Sequence, residues 1–177
     1  MTLEELKYPI GKYQKPDSYT EQDLQGWIDV LTALPSWVDA CIENMDEHQL
    51  QTPYRPEGWT VQQVVHHLAD SHMNAYVRLK LALTEDNPTI KPYNENGWAA
   101  LPDTQYTPVN ISATLLHALH RRLTAILAHM QPEQWQRTYY HPDLKREIHV
   151  WEMMALYAWH SQHHIAHITG LRSRMGW

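Results

Sequence analysis

Apolar residues recur along this chain at intervals of three and four, and the recurrence falls into four long stretches. The first starts near Thr20 and carries Leu24, Trp27, Ile28, Val30, Leu31 and Leu34. Pro35 interrupts it, and the period resumes at Trp37, Val38, Cys41 and Ile42. A proline kinks or breaks a helix interior, so this stretch predicts one kinked helix or two short ones. The second opens on Thr60-Val-Gln-Gln63, which matches a capping box. It sets Val61, Val64, Val65, Leu68, His72, Tyr76, Leu79 and Leu83 on one helical face and should end before Asn87-Pro88. The third runs from about residue 112 to 130 with Leu115, Leu119, Leu123, Ile126, Leu127 and Met130 inward, and Pro132 stops it. The fourth runs from about residue 151 to 172. Residues 88–108, rich in Pro, Asn and Tyr, predict a long crossing loop of the kind that often carries function. Residues 138–150 alternate around His141-Pro142-Asp143, which predicts a short β-hairpin before the last helix. Four long helices with almost no strand give an all-α fold, a four-helix bundle with long crossing loops.

Composition narrows the partners more than the fold. At 177 residues the chain fits a single domain spanning residues 1–177. A net charge of -6 offers no basic footprint, so nucleic acid is not an expected partner. The longest apolar runs fall far short of the roughly 20 residues that span a bilayer, and no membrane partner is expected. The N-terminal MTLEELKYPIGKY has no apolar core of a secretory signal. Cys41 is the only cysteine, which rules out an intramolecular disulfide and fits a reducing, cytoplasmic setting. Eight Trp, ten Tyr and no Phe mean that most large rings carry a polar handle, as suits pocket walls and interfaces.

Four of the thirteen histidines fall between His160 and His167. On the fourth helix Met153, Leu156, Tyr157, Ile168 and Leu171 define a buried stripe, and His160 and His164 lie at its centre one turn apart. His163 and His167 lie to one side and are expected to be less deeply placed. Two imidazoles at i and i+4 project about 6 Å apart along the axis, a spacing that suits two cis ligands of a transition metal. The same spacing also arises by chance in a histidine-rich helix, where buried imidazoles need other hydrogen-bond partners. On the second helix His67 leads a polar strip with Ser71, Asn74 and Arg78, at steps of four, three and four. Alone, His67 reads as a structural histidine, His66 as a solvated one and His72 as a core one. Asp70, about one turn from His67, is either a hydrogen-bond partner for it or a surface group.

The run Arg55-Pro-Glu-Gly-Trp-Thr-Val-Gln-Gln-Val-Val-His-His-Leu-Ala-Asp-Ser-His72, then Leu81-Ala-Leu-Thr-Glu-Asp-Asn-Pro-Thr-Ile90 and the late His160-Ser-Gln-His-His164, resembles the DinB/YfiT-like family. The likeness covers essentially the whole chain in order. It is strongest to the YfiT branch of expected metal-dependent hydrolases. That resemblance implies a four-helix bundle, one metal held by three histidines, and a homodimer; imidazole ligands suit a divalent zinc or nickel equally. Carried onto this sequence, the ligands fall on His67, His160 and His164.

Three imidazoles on a divalent ion leave a position for water or substrate, which implies hydrolysis of a small-molecule substrate. The same position could take a low-molecular-weight thiol as thiolate, so a metal-dependent S-transferase of the bacillithiol type is the alternative. A metal-stabilised, non-catalytic dimeric binding module is the second alternative. Candidate catalytic residues besides the ligands are His163 as acid or base, Arg78 as the holder of a substrate carboxylate, and Tyr157. Ser71 and Asn74 complete the expected pocket wall.

Overall fold

The computed structural model describes residues 1–177 and contains nine helices and one hairpin: α1 (Leu3–Lys7), α2 (Glu21–Ile42), α3 (Glu47–Leu50), α4 (Val61–Thr84), α5 (Glu95–Trp98), α6 (Pro102–Tyr106), α7 (Val109–Leu127), α8 (Pro132–Trp135), β1 (Thr138–His141), β2 (Arg146–His149) and α9 (Val150–Met175). The four long helices form the bundle. α2 packs on α7 and α9, and α4 packs on the same two, so the order around the bundle is α2, α7, α4, α9. Successive long helices α2 and α4 therefore lie diagonally opposite. The arrangement sets α4 against α9, the two helices that carry the histidine motifs.

Two of the long helix starts follow directly from their sequence. Thr60 and Gln63 form the predicted capping box of α4, and Thr20 with Asp23 forms another on α2. β1 and β2 pair antiparallel from Thr138↔His149 to His141↔Arg146, as the alternation around Pro142 predicts. The crossing loop is partly helical, holding α5 and α6, and it is tied to α4 by Gln62 Nε2 donating to the Thr104 carbonyl at 2.8 Å and Gln63 Nε2 donating to Ala99 at 3.0 Å.

Pro35 does not divide α2, which runs unbroken across it. A proline at this position cannot donate to the carbonyl four residues earlier, that of Leu31. His120 of α7 supplies the missing donor, its Nδ1 lying 2.5 Å from the Leu31 oxygen. The tautomer is thereby fixed with the proton on Nδ1. The helix is continuous because a neighbouring helix completes its ladder.

Three expectations of burial need correction. On α7, Leu115 is 42% exposed, and the inward face is set by Ser112, Ala113, Leu116, Leu119, His120 and Leu123. Two polar residues belong to that face, so a stripe drawn through apolar residues alone is rotated away from it. On α9, Leu156 is 38% exposed and lines a cavity instead of packing in the core. His66 is buried rather than solvated: Ser112 Oγ lies 2.7 Å from its Nδ1, and the Thr107 carbonyl lies 3.1 Å from its Nε2. Cys41 is a free, buried thiol pushed up to about 11 by burial.

Candidate metal centre

α4 brings His67, and α9 brings His160 and His164, to one point between the two helices. The α4 start fixes that geometry. Gly58 lies so close to Arg55 that a Cβ there would meet the Arg55 Cγ at 2.6 Å and its carbonyl at 3.1 Å, so the turn before Thr60 accepts only glycine unless Arg55 moves. Trp59, next in the chain, packs its ring on His67 at 4.6 Å and on His164 at 6.5 Å. The Gly-Trp-Thr element thus caps the helix and covers the histidine rings with one indole.

One ring nitrogen from each of His67, His160 and His164 falls within 4.8 Å of the others. The Nε2 atoms of His67 and His160 are 3.2 Å apart. Two imidazole nitrogens on a tetrahedral zinc would be separated by about 3.4 Å, given Zn–N distances near 2.1 Å. The His67–His160 pair is therefore already spaced for one small divalent ion, and otherwise one of these two rings donates its N–H to the other. Burial pushes the His67 imidazole down to about 4. Burial first, and then neighbouring imidazoles, holds His160 and His164 well below the ordinary histidine range. All three rings are neutral at pH 7, and a neutral ring offers the lone pair that a metal needs. No cysteine or carboxylate joins the group of three.

The orientation of the rings comes from packing more than from hydrogen bonds. Nδ1 of His160 and of His164 is buried without a partner. His160 and His164 stand edge to face at 4.5 Å, and Tyr157 lies 5.7 Å from His160. Asp70 makes no hydrogen bond to His67. Its carboxyl is instead raised to about 6 by partial burial and by the nearby Asp103.

A cavity of about 380 Å³ opens beside His160. Of the remaining candidates, Arg78, Tyr157 and Ser71 line it, whereas Asn74 and His163 do not. The Tyr157 hydroxyl donates to the Ser71 carbonyl at 3.2 Å, which joins α9 to α4 across its wall. Asn74 Nδ2 is turned back to donate to the Asp70 carbonyl at 2.9 Å. His163 stacks on Trp159 at 4.4 Å under the N-terminal segment, with Tyr8 6.1 Å away. Its neighbour His167 donates from Nε2 to the Lys7 carbonyl at 3.1 Å and stacks on Tyr54 at 3.9 Å. Both are buried, contrary to the expectation from the helical face, because residues outside the four helices cover them. The cavity also draws on Glu95, Tyr139, His141, Arg146 and Glu152, none of them singled out by the sequence. For Tyr139, His141 and Arg146 the hairpin alternation is the only signal, and it does not say which side faces the bundle.

The comparisons with known proteins bear on the family and the fold. Residues 31–168 match the model of the DinB superfamily. The protein named "Putative metal-dependent hydrolase YfiT" of Bacillus subtilis (strain 168) is 49% identical over 177 residues, covering 100% of this chain and 99% of its own. A Bacillus cereus (strain AH820) protein of the same descriptive name is 47% identical over 175 residues, covering 99% of this chain and 100% of its own. The solved structure of the Bacillus subtilis YfiT, described as having an unusual four-helix bundle topology, superimposes with a TM-score of 0.95 at 49% identity, over 98% of this chain and 99% of that one. With its bundle and its paired histidine elements, the chain belongs to the DinB superfamily, among the YfiT-like proteins.

Proposed function

We propose that the protein is a metal-dependent hydrolase whose divalent ion, zinc or nickel, is held by His67, His160 and His164. The observation that carries this reading is the convergence of three neutral imidazole nitrogens within 4.8 Å of one another, with no fourth protein ligand to close the set. A divalent ion so held supplies Lewis acidity, lowering the pKa of a water molecule and polarising a carbonyl. Imidazole suits both metals, so the ligand set alone does not choose between them.

The chain's own residues have separable tasks in this reading. His67, His160 and His164 bind through ring nitrogens that burial keeps unprotonated. Trp59 shields the ring cluster from bulk water on one side. Tyr157, anchored by its hydrogen bond to Ser71, holds a hydroxyl in the cavity wall beside the His160 ring. Its phenol is raised by burial, so it stays protonated at neutral pH, gives its one proton to the Ser71 carbonyl and does not act as a base.

The test is metal content by plasma mass spectrometry on tag-free protein beside His160→Ala. About one ion per chain is expected in the wild type and little in the variant. The metal-loaded protein is then assayed on ester and amide panels, with and without a small thiol. Turnover that follows metal content without thiol supports hydrolysis. Turnover only with thiol replaces hydrolysis by thiol transfer, and a wild type that binds neither zinc nor nickel ends the reading.

A further inference from the structure

Two guanidinium groups line the cavity beside His160, Arg78 from α4 and Arg146 from β2, and they are not equivalent. Arg146 is neutralised by Glu152 in a two-pronged ion pair: its Nη1 donates to Oε2 at 3.1 Å and its Nη2 donates to Oε1. Arg78 has no carboxylate within ion-pair distance. Its Nε is buried without an acceptor. A guanidinium cannot shed its proton to escape that position, so its charge and its buried donor await a partner. Glu95, the other carboxylate in the wall, feels the charge of Arg78 but does not reach it. The field of Arg78 also spreads over Tyr157, Tyr139 and His141 around the cavity.

We propose that Arg78 is a substrate-binding residue, and that the molecule acted on carries a carboxylate that pairs with Arg78 while its reacting group lies beside His160. The inference rests on the metal-dependent reading above and adds the substrate class to it. A guanidinium fork matches a carboxylate with two parallel hydrogen bonds. Glu95, the one carboxylate of that wall not held in an ion pair, repels a dianion more than a monoanion, which favours a carboxylate over a phosphate monoester. Spacing sets the length of the substrate. Arg78 follows His67 by eleven residues on α4, about 16 Å along the axis, and its side chain leans back toward the helix start. His67 leans the same way by less, so the guanidinium stays on the order of 10–15 Å from the histidine cluster, a span filled by a short aliphatic chain with one functional group at each end.

The test uses monohydroxamates of succinic, glutaric and adipic acid against their methyl esters, titrated calorimetrically into zinc-loaded protein. The hydroxamate reports an accessible metal, and only the free acid reports Arg78. For at least one chain length the acid should bind about tenfold tighter than its ester. Arg78→Gln should equalise the two while zinc content and melting temperature stay at wild-type values, and Arg78→Lys should restore part of the preference. Acid and ester binding equally to the wild type would overturn the inference and leave the metal reading standing. A preference that survives in Arg78→Gln would also overturn it, by placing the carboxylate elsewhere. If the protein takes up neither zinc nor nickel, or neither hydroxamate binds the loaded protein, the metal reading fails and the inference falls with it.

Discussion

Two groups of histidines lie side by side inside the bundle, and burial separates them only at His160, which is half-buried. His72 and His120 are sealed in the core with ring centres 4.8 Å apart, and His72 is 5.6 Å from His160 of the neighbouring trio. In both groups burial holds the imidazoles in the neutral form. The difference lies in what their nitrogens meet. In the trio, one nitrogen from each ring converges on a common point. In the pair, His120 Nδ1 is committed to the Leu31 carbonyl, and the other nitrogen of His120 and both of His72 have no partner. His67 and His72 stand only five residues apart on one helix, yet about 140° apart around its axis. Buried histidine is therefore a poor sign of a ligand. Convergence of bare nitrogens is the informative sign.

The comparison breaks most visibly at the metal. His160→Ala should weaken zinc binding by about two orders of magnitude or more, whereas His72→Leu should leave it unchanged. Equilibrium competition against a chromogenic chelator reads both, and equal losses in the two variants would erase the distinction between the groups. The next largest effect should fall on stability. His120→Leu strands the Leu31 carbonyl and should cost about 2 kcal/mol in urea unfolding without loss of metal. Adding Pro35→Ala to that variant restores the backbone N–H and should recover about half of the loss, a coupling that a double-mutant cycle measures directly.

Acid gives a third test, best run on metal-free protein. His120 falls to about 4 on burial, from an ordinary value of 6.5. The folded state then binds fewer protons than the unfolded one between those values. Its contribution is complete above pH 6.5 and is lost as pH falls toward 4, by up to about 3 kcal/mol for a single group. His120→Leu should flatten that part of the stability profile. A slope that the substitution leaves unaltered would mean that other buried imidazoles carry it. The smallest effect should come from His72→Leu, which removes two unpartnered polar atoms and should change stability by less than about 1 kcal/mol in either direction.

Helical period carries information about one surface only, and that explains what the sequence reveals. The four long helices, the Thr60 cap and the hairpin around Pro142 all follow from local pattern. So does the inward placement of His164 and, half-buried, of His160. By spacing, His67 is indistinguishable from a structural histidine, and only the likeness carried by the Gly-Trp-Thr to His-Leu element makes it a ligand candidate. The burial of His66, His163 and His167 depends on the loop ahead of α7 and on the N-terminal segment, whose positions no helical wheel contains. Leu115 misled because Ser112 and His120 belong to the buried face despite their polarity. A signal for His120 did exist: a proline inside a helix frees the carbonyl four residues back, and a histidine on another helix is a natural donor for it.

That last contact also constrains the order of events in folding. A chain segment containing Pro35 cannot close the helical ladder by itself, so residues 21–42 should form two weakly coupled halves until α7 docks. Joining the halves and packing α2 on α7 then become one cooperative step. The interface carrying His120 should acquire its structure together with α2, and a peptide of α2 alone should lose helicity at the Leu31–Pro35 turn.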